Sequence, residues 1–228
     1  MKRFCLPISL GLLSLAWIFV APRAVCGEDA SSVDYDRLHV GEQADGRIVV
    51  PTNQVLSPLG EQVGFPARPT AVALSPDGRR LAVLCSNRVL TIDPDTKKIV
   101  GNVKHNGSFT GILFDGKGRQ LFASTISGTV EVYAVGPEGK LTHRRSIRLT
   151  PRAAGGRGGV APSGLALDPG GKTVWVAYNM ANVVGEVDTA SGKELRKIPV
   201  GNAPYDVAFA AGKLYVSNWA GRIPAKGD

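Results

Sequence analysis

The side chains able to do chemistry are few and scattered. The chain has three histidines, His39, His105 and His143, and no two stand at the spacing of zinc ligands. Of its three cysteines, Cys5, Cys26 and Cys85, only Cys85 would remain after removal of a leader ending at Gly27, so no disulfide framework or cysteine metal site is expected. Cys85 falls at an inward position of an apolar segment and reads as a buried, inert thiol. Asp93 and Asp95 in IDPDTKK begin like a calcium loop, but the glycine and the closing glutamate are missing, so a hairpin turn is expected. The run Gly155-Gly156-Arg157-Gly158-Gly159 lacks the preceding strand, the Lys-Ser/Thr pair and the following helix of a phosphate-binding loop. It reads as a flexible insertion. No catalytic residue, metal or cofactor is expected, and each histidine reads as solvated or locally bonded.

Such a thin inventory directs attention to what the rest of the chain builds. It has 228 residues and a net charge of +8, with 43% hydrophobic and 20% charged residues, which excludes a disordered or collagenous chain. Twenty-eight glycines and 15 prolines imply many turns. Lys2 and Arg3 precede an apolar run over 4–20, and small residues follow at 24–27, the order of a secretory signal. Residues 1–27 hold Lys2, Arg3 and Arg23 and no acid, so removing them leaves 201 residues and a charge of +5. The expected product is secreted or periplasmic, with no stable membrane span after cleavage. Residues 28–46 are polar and aperiodic and read as a flexible approach; 47–228 read as the folded part.

That part repeats. TAVALSPDGRRL from Thr70, TGILFDGKGRQL from Thr110, SGLALDPGGKTV from Ser163 and YDVAFAAGKL from Tyr205 are four copies of one unit, starting 40, 53 and 42 residues apart. In each, an apolar strand meets a glycine turn and a second apolar strand, over 81–85, 121–125, 174–178 and 214–218, the pattern of a hairpin. Two further strands complete the first three copies, over 88–93 and 98–104, 129–134 and 140–149, 183–188 and 194–200. Val72/Leu74, Ile112/Phe114, Leu165/Leu167 and Val207/Phe209 fall on one face of the first strands, and Ala71/Ala73, Gly111/Leu113, Gly164/Ala166 and Asp206/Ala208 on the other. A large face against a mostly small one predicts sheets stacked face to face with both faces buried. The expected fold is all-β, a β-propeller of four-stranded antiparallel blades.

The stretch VWVAYNMANVVGEVDTASGKELRKIPVGNAPYDVAF over 174–209, followed by LYVSN over 214–218, resembles the YVTN family of β-propeller repeats. That family includes secreted bacterial propellers of usually seven blades and resembles the lactonase-type and quinoprotein-like propellers. RIVVPTNQVLSPLGEQVGF over 47–65, with PARPTAVALSPDGRRLAV and YVSNWAGRIP, is also similar to propellers fused ahead of an alkaline-phosphatase-like phosphoesterase domain. Against the family pattern only three complete blades and half of a fourth are expected here. Propellers close with four to eight blades and so protect their sheet edges. The expectation is therefore a fragment of a longer protein or, alternatively, a propeller closed by self-association through open blade edges.

The links leading into each first strand emerge at one end of the stack, the end where ligands bind in propellers that this chain resembles. They gather Arg68, Lys104, His105, Arg152, Arg157 and Asn202, a basic and polar set suited to an acidic protein or a small anionic ligand. Nucleic acid is not an expected partner, because secretion removes the usual target and no aromatic stacking surface is apparent. The expected function is a non-catalytic extracytoplasmic binding or protein-interaction module. The alternative is the amino-terminal propeller of a secreted hydrolase, phosphoesterase-fused or lactonase-like, with its catalytic part beyond Asp228.

Overall fold

The computed structural model describes residues 38–107, 109–150 and 159–220. These form two units that divide between residues 61 and 62. The first holds three short antiparallel strands in chain order, β1 (Gly41–Glu42), β2 (Ile48–Val49) and β3 (Val55–Leu56). Its two turns use left-handed backbone at Gly46 (φ 80°) and Asn53 (φ 58°), the residue types that tolerate it. This sheet runs across the boundary expected at 46/47, since β1 pairs with β2. Two-residue strands carry no alternation, which is why the sequence pattern shows no strand there.

The second unit is a succession of antiparallel sheets, each laid down in chain order. The first sheet comprises β4 (Pro69–Leu74), β5 (Leu81–Cys85), β6 (Arg88–Ile92) and β7 (Ile99–Lys104). The next comprises β8 (Ile112–Phe114), β9 (Gln120–Ser124), β10 (Thr129–Val135) and β11 (Leu141–Arg148). The third is β12 (Pro162–Leu167), β13 (Thr173–Tyr178), β14 (Val183–Asp188) and β15 (Glu194–Pro199). A two-stranded sheet of β16 (Pro204–Ala210) and β17 (Lys213–Asn218) follows. No helix occurs among the described residues.

Turn chemistry explains why these strands pair in this register. In the first three sheets the turn after the first strand carries a left-handed glycine: Gly78 (φ 72°), Gly118 (φ 65°) and Gly171 (φ 67°). Each donates its N–H to the residue three earlier, Ser75, Asp115 and Asp168 respectively. Asp115 and Asp168 also accept backbone N–H groups across the turn, from Gln120 and Thr173 among others. In the fourth sheet Ala211 (φ 48°) and Gly212 (φ 71°) are both left-handed, the two-residue hairpin geometry that matches strand twist. That is the physical basis of the turn two residues shorter. Asp93, the candidate calcium residue, accepts N–H groups from Asp95 and Thr96 and pairs with Arg80 at 3.1 Å. It is a turn residue.

Stacking then buries the sheet faces. Ile112 and Phe114 of the second sheet pack with Ala82, Leu84, Ala71 and Ala73 of the first. Leu165 and Leu167 of the third meet Phe122, Val130 and Leu113 of the second, and Val207 and Phe209 of the fourth meet Ala166 and Trp175 of the third. Each large face thus fills the small face of the sheet before it. Full burial of one such aliphatic side chain is worth roughly 1.5–3 kcal/mol, so the interfaces dominate stability. The rule of two buried faces fails at the first sheet, where Val72 and Leu74 are 63% and 60% exposed. Val63, Phe65 and Ala67 cover Val83, Cys85, Leu90 and Ile92 on that side, and this cover stops short of β4.

Candidate binding face

Antiparallel order sends the links before the first strands and the turns between the second and third strands to one end of the stack. Arg68 and Lys104 are exposed there, at the start of β4 and the end of β7. Asn202 is half-buried before β16, its carbonyl accepting the Ala220 N–H at 3.3 Å. Arg152 and Arg157 lie outside the described residues. His105 departs from the expected set, being only 3% exposed. Its ring bonds the Ser124 carbonyl through Nε2 (3.0 Å) and the Tyr133 hydroxyl through Nδ1 (2.9 Å). A carbonyl only accepts, so Nε2 carries the proton and, in the neutral ring, Nδ1 accepts from Tyr133. Burial pushes the imidazole below the usual histidine range and the Tyr133 phenol up. His105 is a locally bonded core residue, not a surface cation.

Beside it a cavity of about 270 Å³ is lined by Lys104, His105, Asn106, Glu131, Tyr133, His143 and Ser146. Glu131 accepts from the Thr129 hydroxyl, the Ser146 hydroxyl and His143 Nε2, each at 2.6 Å. Burial alone would raise its pKa, but these donors outweigh burial and hold the carboxyl below its ordinary range. Ser146 and His143 bond the same carboxylate oxygen rather than each other, so the two do not form a serine–histidine pair. A larger cavity, about 610 Å³, sits at the opposite end among the turns containing Pro76, Asp115 and Asp168. Both of its aspartates hold backbone N–H groups of their own turns. Among the described residues no group of three or more His, Cys, Asp or Glu side chains is placed to hold a metal, and no helix is long and apolar enough to cross a membrane.

The most developed surface on the expected end is one that the sequence pattern does not reveal. Phe109, Tyr205 and Trp219 come together there: Tyr205 and Trp219 stack at 4.4 Å and 21°, and Phe109 meets both edge-on at 5.7 Å. The expectation that no aromatic stacking surface exists is corrected by this cluster, whose members come from the link before β8, the start of β16 and the turn after β17. Tyr205 also lines a cavity of about 390 Å³ at the inner edge of the stack, with Thr70, Thr110, Gly111 and Asp206. In addition, Ile126, Met180 and Trp219 occupy the turn after the second strand in three successive sheets and are 59%, 63% and 64% exposed.

The all-β architecture of stacked four-stranded antiparallel sheets defines a β-propeller. Solved structures agree. The chain is similar to a hydrazine synthase of Kuenenia stuttgartiensis, 24% identical with a TM-score of 0.53, covering 66% of this chain and 42% of that one. A functionally unknown protein from Desulfotomaculum acetoxidans DSM 771 is 17% identical with a TM-score of 0.56, covering 72% and 52%. The β-propeller domain of Cps50 (Swd1) from Myceliophteria thermophila is 16% identical with a TM-score of 0.51, covering 61% and 46%. The chain therefore spans about half the length of these propellers. No family model matches it, and no curated protein does.

Proposed function

We propose that the chain is a non-catalytic, extracytoplasmic binding module of the YVTN propeller type, which recognises its partner through the end bearing Arg68, Lys104 and Asn202. The observation that carries this reading is the row Ile126, Met180 and Trp219, one exposed large apolar residue at the same turn of three successive blades. An isolated exposed apolar side chain needs no explanation, whereas a repeated set on loops marks an interaction surface. Methionine and tryptophan are residue types favoured at such surfaces. The neighbouring basic residues suit a partner with acidic groups at its rim. The leader sequence supports a site outside the cytoplasm.

The test is positional. A photo-reactive amino acid at 126, 180 or 219 should give a discrete cross-linked product in cells that make the protein, and one at Lys117 or Lys140 should not. Products from both ends alike, or from neither, would sink the reading. Recovery of a product starting near residue 28 outside the cytoplasm checks the compartment; retention of residues 1–27 inside the cell would remove it.

A further inference from the structure

In each of the four sheets a cation follows the left-handed glycine of the first turn: Arg79, Arg119, Lys172 and Lys213 come directly after Gly78, Gly118, Gly171 and Gly212. The backbone there calls for glycine, but nothing in the turn calls for a cation, and all four cations are exposed. The acids of these turns are spent on their own backbone, since Asp77, Asp115 and Asp168 accept the N–H groups of Arg79, Arg119 and Thr173. Between the first and second sheets this arrangement encloses a cavity of about 360 Å³, whose lining includes Asp77, Arg79, Arg80, Arg119 and Pro137. It lies among the turns at the end of the stack opposite the aromatic cluster.

Arg80 is fixed as one wall. Its Nη1 donates to the Arg79 carbonyl at 2.6 Å and to the Asp93 carboxylate at 3.1 Å, while Nη2 reaches across to the Pro137 carbonyl of the second sheet at 3.4 Å. These bonds leave one Nη2 hydrogen over. The side chains of Arg79 and Arg119 make no hydrogen bond or ion pair among the described residues. Asp77 is the one acid in the lining, and its Oδ1 is already taken by the Ser75 hydroxyl at 2.6 Å and the Arg79 N–H at 3.1 Å. Three arginines thus line the cavity against one carboxylate, with Asp93 behind Arg80, and the excess charge is positive. A cation is repelled by this set and a neutral ligand leaves it unmatched. Guanidinium forks suit an oxyanion, and three of them arranged round one space engage a tetrahedral group through more oxygens than a planar carboxylate offers. The volume is within the usual size of a small-molecule site.

We infer that the cavity between the first and second sheets binds the phosphate group of a phosphomonoester, held by Arg79, Arg119 and Arg80. The site is at the other end of the molecule from the face argued above and does not depend on that reading. Calorimetric titration of the full chain with glycerol 3-phosphate, in chloride buffer of fixed ionic strength, tests it. Binding should saturate at one site, with the dissociation constant raised at least fivefold in R79Q and in R119Q. It should fall severalfold in D77N, where a repelling charge is removed and the turn keeps its acceptor. K172Q removes the equivalent cation of a turn that does not line this cavity and should leave the constant unchanged. Arg79, Arg119, Asp77 and Lys172 are all exposed, and circular dichroism checks that each variant is folded. Vesicles of phosphatidylcholine containing phosphatidic acid separate the two sources of such a group: binding to them that R79Q and R119Q weaken assigns the site to a lipid headgroup, and binding of the soluble ester alone assigns it to a free phosphate ester. Saturation by neither probe, or binding that is indifferent to R79Q and R119Q, overturns the inference. Equal weakening by K172Q also overturns it, because the attraction is then diffuse, and so does succinate binding as tightly as the phosphate ester, because the site is then one for carboxylates.

Discussion

The His105 Nδ1 lies 2.9 Å from the Tyr133 hydroxyl, and this buried pair joins the link after the first blade to the third strand of the second. Burial is the main cause of the lowered His105 pKa, the Ser124 carbonyl and Glu131 opposing it and His143 adding to it. The unfolded chain binds a proton at this ring near pH 6.5, and the folded one only at lower pH. Between those values the unfolded state holds more protons, so stability falls as pH falls. His105 therefore contributes fully above about pH 6.5 and loses its contribution on the way down through the folded value. A thermal midpoint measured from pH 8 to pH 5 should decline below that point, and H105Q should be less stable throughout but decline less. An equal decline in H105Q would show that other groups carry the effect.

Blade packing gives a second prediction. A Cβ at Gly111 would overlap the Ser163 carbonyl and come within 2.7 Å of the Leu165 Cγ and the Ser124 Oγ. Overpacking of this kind costs about 1–3 kcal/mol. For a domain of this size that lowers the midpoint by roughly 2–10 °C. Gly116 has nothing within 4 Å of such a Cβ. G111A should thus lower the midpoint in calorimetry and G116A should not; equal behaviour would mean that the second and third blades do not approach as described.

These two residues mark where sequence suffices and where it stops. Gly111 belongs to a register that recurs in all four copies, and periodicity of that kind exposes strands, turns and the pairing of large with small faces. His105 belongs to a link, and its burial is decided by Tyr133 and Ser124 of later strands, which no local pattern reports. The Phe109, Tyr205 and Trp219 cluster was hidden for the same reason, since its members meet only after the blades are stacked. Asp206 was legible in principle as the one acidic residue in a column of Ala and Gly, but its meaning depends on the cavity beside it. Val72 and Leu74 matched their counterparts in sequence and differ only by position in the stack.

Cys85 is fully buried and its thiol pKa is raised by that burial, with Arg88 opposing weakly. Reaction requires an accessible thiolate. With Cys5 and Cys26 replaced by serine, the native protein should leave a chromogenic disulfide reagent unconsumed for hours, and one thiol should react on unfolding in guanidinium. Prompt reaction of the native protein would place Cys85 at the surface and contradict its packing against Val83 and Leu90.

The exposed pair Val72 and Leu74 has a counterpart in every later blade, and there each pair packs against a preceding small face. The fourth sheet presents such a small face outward, with Ala208 and Ala210 exposed. A large face at one end and a small one at the other form a heterologous contact, which adds copies head to tail. Sedimentation velocity should therefore show species that grow with concentration. V72S/L74S should shift them toward the monomer without changing circular dichroism, and A208R, at the other end, should do the same because both halves of one contact are being removed. A monomer at every concentration, or a distribution indifferent to both variants, would mean that the complementary faces do not meet.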